Sequence, residues 1–348
     1  MFIFILRRLG VMILTAFCLT FIVFFLTNLT PNLEKLAKTQ GNFRMSDEQV
    51  ETWLGNRGYL QSLPVKYGQW LGVLPGYVIK GKDGEVRGKC FSVTDGPEAA
   101  RRFCGVLQGD WGKSTRFKDD VKTILLKRLG LTGWLMLMVM LVMVPGALII
   151  GVAAGMREGS KLDRSLSTVS IISTATPEYV SGVIFIAIFA SSAFGLKWFK
   201  GTATSAMHDI TFVNFTLPVL TIALYGMGYI ARMTRASMTE VMTAQYVRTA
   251  RLKGVSFASI VMKHALRNAL IAPFTVIMLQ FPWLLNGVVI TETLFNYKGF
   301  GWALVEAAGN NDIALLLGVS VVSVIVVLTT QLISDIGYVY LNPRIRIS

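Results

Sequence analysis

Residues 231–273 read ARMTRASMTEVMTAQYVRTARLKGVSFASIVMKHALRNALIAP, a basic and polar stretch set between two apolar runs. The pattern is more ordered than that of an ordinary loop. Tyr246 to Leu252 combines small and basic residues as a short helix, Gly254 follows in position for a C-cap, and Ala258 to Ala269 continues as a second helix. A short helix held below a membrane by two flanking helices can transmit force when a partner grips it. A solvated basic loop on anionic lipid is the simpler alternative, yet plain lipid binding demands neither the glycine nor the small residues.

Six apolar runs are long enough to cross a bilayer core, which needs about 20 residues as helix. They are Leu9–Leu29, Leu131–Gly155, Leu166–Leu196, Thr211–Ile230, Ala269–Thr291 and Ile313–Ser334. The 348 residues are 53% hydrophobic and 16% charged, with a mean hydropathy of +0.55, which is too apolar for a soluble domain of this size. A net charge of +14 sits largely between the apolar runs, so it points to lipid headgroups and a cytoplasmic protein rather than nucleic acid. The chain therefore reads as an all-α membrane protein of six transmembrane helices. The first run follows Arg7-Arg8 but has no small-residue cleavage site after it, which makes it a retained anchor.

Orientation follows from the basic residues. Arg7, Arg8, Arg157, Lys161, Arg164, the 232–267 stretch, Arg344 and Arg346 all fall on one side of six crossings, placing both termini in the cytoplasm. Lys122, Lys127 and Arg128 run against this topology. The expected organisation is a first transmembrane helix (1–30), a periplasmic segment with a surface helix (31–130), a five-helix core (131–340) holding the cytoplasmic loop 232–268, and a cytoplasmic tail (341–348). Within the periplasmic segment, Ser46-Asp47-Glu48 before Val50, Trp53 and Leu54 predicts a capped helix, Asp83-Gly84 a turn, and Val121–Leu129 an amphipathic helix along the membrane surface. Cys90 and Cys104 both lie there. An oxidising periplasm favours a bridge, with roughly 3 kcal/mol of stabilisation in the chain-entropy account, and two free thiols are the alternative.

Chemistry-bearing motifs are scarce. Gly112-Lys113-Ser114 imitates the end of a phosphate-binding loop, but Leu107 stands where the first glycine belongs and no apolar strand precedes it. His208 and His264 are the only histidines, and no metal-ligand spacing, catalytic constellation or cofactor motif is apparent. Prolines 145, 177, 218, 273 and 282 fall within the apolar runs, as gating hinges or as ordinary packing kinks. Glu178 is the one acidic residue well inside an expected span, facing either a translocation pathway or a structural hydrogen bond. Gln280 and Asn286 are milder pathway candidates, equally suited to holding helices together.

Several motifs in order resemble one family, the membrane permease subunits of bacterial binding-protein-dependent ABC importers of the dipeptide/oligopeptide/nickel group. YVRTARLKG followed by HALRNAL is similar to its coupling loop, Gly109–Ser114 to its GDxGxS, and Gly159–Arg164 to its GSxLDR. Thr291–Phe295 resembles its ET(V/L)F and Asn342–Arg346 its terminal (D/N)PRxR. The resemblance implies the type I, MetI-like permease fold in the bacterial inner membrane. It also implies a second homologous permease subunit, two ABC ATPase subunits that bind ATP and Mg, a periplasmic substrate-binding protein, and no cofactor in this chain. Tyr246, Arg248, Thr249, Ala250, Arg251, Lys253 and Gly254 fall on the positions that couple to the ATPase. Gln245, Phe257-Ala258-Ser259 and Tyr297-Lys298 depart from common forms of the family, and residues 75–107 look like an insertion. An ATPase-independent secondary transporter or channel and a membrane-embedded enzyme are the competing classes. Dipeptides, longer peptides, nickel chelates, opines and peptide antibiotics all stay open as cargo.

Overall fold

The computed structural model describes residues 2–80, 86–90, 102–192 and 196–341. The expected Asp83-Gly84 turn and the Asn342–Arg346 motif lie outside the described residues. In chain order the helices are α1 (Phe2–Thr27), α2 (Thr30–Gln40), α3 (Asp47–Gly55) and α4 (Leu63–Leu71), then the antiparallel strands β1 (Val78–Lys80) and β2 (Val86–Gly88). There follow α5 (Val121–Gly155), α6 (Lys161–Ala175), α7 (Glu178–Phe189), α8 (Phe212–Met242), α9 (Gln245–Leu252) and α10 (Phe257–Ser259). A π-helical turn, Ile260–Ala265, leads into α11 (Leu266–Ala269), α12 (Ile271–Leu294), α13 (Phe300–Gly309) and α14 (Ile313–Leu341).

Among the described residues four helices are long and apolar enough to cross a membrane: Ile5–Thr27, Val121–Gly155, Phe212–Met242 and Ile313–Gly337. Two bent pairs raise the number to six if each counts as one span. Three expectations need correction. Val121–Leu129 is no separate surface helix, because α5 runs unbroken from Val121 to Gly155. The fourth run does not stop at Ile230, because α8 stays helical through Arg232 and Arg235 to Met242. The third run is not continuous either. Thr176 takes an extended conformation (φ −85°, ψ 123°), as a residue before proline prefers, and α7 leaves the bend at 107° to α6.

The contacts divide the chain into two compact units, one containing Leu129–Trp302 and the last helix from Val326, the other Leu6–Arg128 and Ala303–Ile325. In the first, small residues let helices approach closely, the packing mode expected where lipid supplies no hydrophobic drive. A Cβ on Gly151 of α5 would lie 2.4 Å from Thr234 Cβ and 2.6 Å from the Ala231 carbonyl on α8. One on Gly228 of α8 would sit 2.6 Å from the Ser170 carbonyl of α6. Around these contacts Leu135, Val139, Met143, Leu217, Ile222, Leu284 and Val288 form the core. Pro282 removes the donor that would meet the Met278 carbonyl, and Ser334 Oγ of α14 donates to that oxygen at 2.6 Å instead.

In the second unit Tyr67 of α4 meets Phe17, Phe21 and Phe24 of α1 edge-on, and its hydroxyl lies 2.9 Å from Thr20 Oγ1. Ser46 and Gln49 form a reciprocal capping box on α3. Cys90 and Cys104 are joined by a disulfide, and burial lowers the nearby Lys89 ammonium to about 8 while its Nζ donates to the Gln69 carbonyl. The GDWGKS motif is a staple. Fully buried Asp312 accepts from Ser114 Oγ at 2.5 Å and the Arg116 amide at 3.1 Å, while its other oxygen caps α14 at the Leu315 amide.

Gly151→Leu is expected to destabilise the folded chain by about 1–3 kcal/mol through overpacking. Gly133→Leu, with open space around its Cα, is expected to change little. Thermal unfolding of the two variants in detergent checks the contrast.

Candidate functional site

Helix α8 ends at Met242, and after two intervening residues α9 begins at Gln245, N-capped by extended Ala244. Val247 and Ala250 turn inward onto Ile260 and Val255. Ala250 therefore packs against its own chain, while Tyr246, Arg248, Thr249, Arg251, Leu252 and Lys253 form the outer face. Leu252 is 82% exposed. Gly254 terminates α9 at φ +74°, with its amide donating to the Arg251 carbonyl and the Val255 amide to that of Ala250. These two bonds and the Val255–Ala250 contact are the Schellman closure, which needs a residue free to adopt the left-handed region. Tyr246 is tied to the returning segment by the Asn268 amide, 2.9 Å from its hydroxyl. That segment is not the regular helix expected over Ala258–Ala269, because a π-helical turn interrupts it at Ile260–Ala265.

The base of α8 is locked to α6. Asp163, 2% exposed, receives Arg235 Nε at 2.5 Å and Nη2 at 2.8 Å, and also accepts from the Gly159 amide and Ser167 Oγ. Bidentate geometry fixes direction as well as distance. Gly159 sits at φ +76° in the turn that brings its amide to the carboxylate. The helix that leads into α9 is thus clamped to α6 by a bidentate ion pair.

At the other end of the same unit, Glu178 opens α7 just past the bend. Its Oε1 accepts from Thr291 Oγ1 at 2.5 Å, and Gly287 leaves room for its Oε2. Glu178 therefore stands at a break in the helix, not in the middle of a span as the apolar run suggested. Next to Thr291, fully buried Glu292 accepts from Thr132 Oγ1 of α5 and from the Trp302 amide of α13 at 2.9 Å. Thr132 in turn accepts from the Phe300 amide at 2.7 Å. Gln280 is 6% exposed within the helix packing, and the Asn286 side chain lies outside the described residues.

Three members of this arrangement were not singled out from sequence: Asp163, Arg235 and Glu292. Asp163 and Glu292 fall in the GSKLDR and TETLF stretches, so a signal existed in the motifs. Their partners are 72 and 160 residues away, a distance that local patterning does not span.

Residues 147–347 match the family described as binding-protein-dependent transport system inner membrane component. A probable peptide ABC transporter permease protein of Sinorhizobium fredii is 34% identical over 69% of this chain and 77% of its own length. A di/tripeptide transport system permease protein of Pseudomonas aeruginosa is 31% identical over 99% of this chain and 98% of its own. A glutathione transport system permease protein of Salmonella paratyphi A is 32% identical over 71% and 78%. The chain belongs to the binding-protein-dependent inner membrane component family, and it is a membrane-spanning permease subunit of an ABC importer.

Arg235→Met is expected to cost about 2 kcal/mol, because it strands a buried carboxylate. Adding Asp163→Asn is expected to recover at least half of that loss. Denaturant titration of the single and double variants in detergent reads the difference.

Proposed function

We propose that this permease forms half of an inward translocation pathway for peptides or peptide-like solutes, with a second, homologous permease subunit completing it. The chain lies in the bacterial inner membrane with six crossings and both termini in the cytoplasm. A periplasmic binding protein delivers the cargo. Two cytoplasmic ATPase subunits, which bind ATP and Mg, dock on the α9 faces of the two permeases. The single observation that carries this reading is the outer face of α9. Arg248, Arg251, Lys253 and a nearly naked Leu252 are presented on a helix closed by Gly254 and packed through Val247 and Ala250 against Ile260 of the returning segment. A solvated loop has no use for that rigidity, and an exposed leucine among cations suits a protein groove with an apolar floor.

The direction of work follows. ATP binds the closed ATPase pair more tightly than the open pair, and that difference in affinity is what shifts the permeases between inward- and outward-facing states. Peptide cargo is supported by the relatives named for peptides, di/tripeptides and glutathione. A secondary transporter is less well supported, since Glu178 is hydrogen-bonded to a threonine rather than paired with a basic residue across spans.

Arg248→Glu and Gly254→Asp are expected to lower ATP-driven peptide uptake at least tenfold and to abolish substrate-stimulated hydrolysis, with membrane insertion intact. Wild-type uptake and stimulation in both variants would contradict docking through α9.

A further inference from the structure

Helix α9 holds the returning segment at two points, and the π-helical turn lies between them. Val247 and Ala250 pack on Ile260, the first residue of that turn, which is 1% exposed. Tyr246, next to Val247, reaches past Ala265, the last residue of the turn. Its hydroxyl accepts from Asn268 Nδ2 on α11 at 2.9 Å. One eight-residue helix therefore brackets the stretch in which i→i+5 bonding replaces the α-helical pattern.

Beyond Asn268 the chain stays connected to α12. The Leu270 amide donates to the Leu266 carbonyl and the Phe274 amide to that of Leu270, each at 3.0 Å. Backbone bonds thus continue from α11 into α12 through a bend of 49°. The far end of α12 carries Thr291 and Glu292, which bond to Glu178 of α7, Thr132 of α5 and Trp302 of α13. Val261, Ala265 and Ala269 pack on Met238 and Met242 of α8, a surface of the segment different from the one that α9 uses.

A π-helical turn is a place where a helix bends. A push from α9 that entered the segment at Ile260 alone would be spent on deforming this turn. A push carried by Tyr246 arrives beyond it, and a tyrosine ring with two side-chain torsions is a stiff spacer. We infer that Tyr246 is a positioning residue of the transport cycle, a strut that acts through Asn268 to carry movement of α9 past the π-helical turn into α12. This inference rests on the docking of ATPases to α9 proposed above. It assigns the Tyr246 hydroxyl to the permease's own returning segment rather than to the ATPase.

The test is hydrogen exchange read by mass spectrometry on the complete complex, with binding protein and ATPases, in lipid nanodiscs, without nucleotide and with ATP plus vanadate. In the wild type, nucleotide trapping is expected to alter exchange over 266–275 and to leave Ile260–Ala265 within twofold of its nucleotide-free rate. In Tyr246→Phe and in Asn268→Leu, trapping is expected to speed exchange of Ile260–Ala265 at least fivefold and to shrink the response of 266–275 at least threefold. Asn268→Asp, whose carboxylate accepts from the tyrosine hydroxyl, is expected to follow the wild type. Wild-type nucleotide responses in both single variants would overturn the strut, as would faster exchange of the same size with and without nucleotide, the mark of a purely structural bond. Loss of the ATPases from Asn268→Leu would overturn it too, by making the bond a support for docking. Arg248→Glu serves as the separate control. If it sheds the ATPases while the strut variants respond as the wild type does, the strut alone fails; if it keeps them with a wild-type nucleotide response, the docking reading fails and takes the strut with it.

Discussion

The last turn of α12 carries the constraint on which the first unit depends: polar groups within an apolar layer must be met by other groups of the protein. Thr291 and Glu292 are neighbours that meet this demand in opposite senses. Thr291 donates to Glu178 and so holds the start of α7 where the third apolar run breaks, while Glu292 accepts from Thr132 and caps α13 at Trp302. A bend of 107° leaves helix ends with unpaired backbone groups, and a carboxylate at the new N-terminus, held by a hydroxyl, suits both the geometry and the helix dipole. Ser334 solves the same problem at Pro282.

From that end the packing continues along α6 and α8 to the other. Glycines at 151, 155 and 228 bring the backbones of α5, α6 and α8 into contact, leaving little freedom for sliding. The Asp163–Arg235 pair closes the arrangement one helical segment before α9. A displacement imposed on α9 is therefore expected to move α8 and α6 together. The bend at Thr176–Pro177 and the π-helical turn at Ile260–Ala265 are the two places where regular helix gives way, and they are the natural points of flexure. Permease membership states what the chain belongs to, and this geometry supplies a way for a motor outside the bilayer to act on it.

Much of this was legible where the determinants are local. The capped helix after Ser46, the short helix ending before Gly254 and the positions of most apolar runs follow from neighbours within four residues. The α9 closure was readable because one glycine decides it. Less was legible where a choice depends on distant partners. A proline inside an apolar run is compatible with a mild kink or a full break, and only the Thr291–Glu178 bond, 113 residues apart in sequence, favours the break. Ala250 looked like part of a contact face because it is small, yet smallness also suits packing, and Ile260 claims it. The merging of Val121–Leu129 into α5 was hidden for another reason: amphipathic periodicity marks a helix but not where its axis turns.

The central claim is that α9 is the handle by which ATPases drive this permease. Native mass spectrometry of the complex extracted through a tag on this chain tests it most directly. The account predicts a particle containing one copy of this chain, one second permease and two ATPase subunits, which sheds the ATPases when α9 is deleted. A stable particle that lacks ATPases, or one that keeps them without α9, would contradict it.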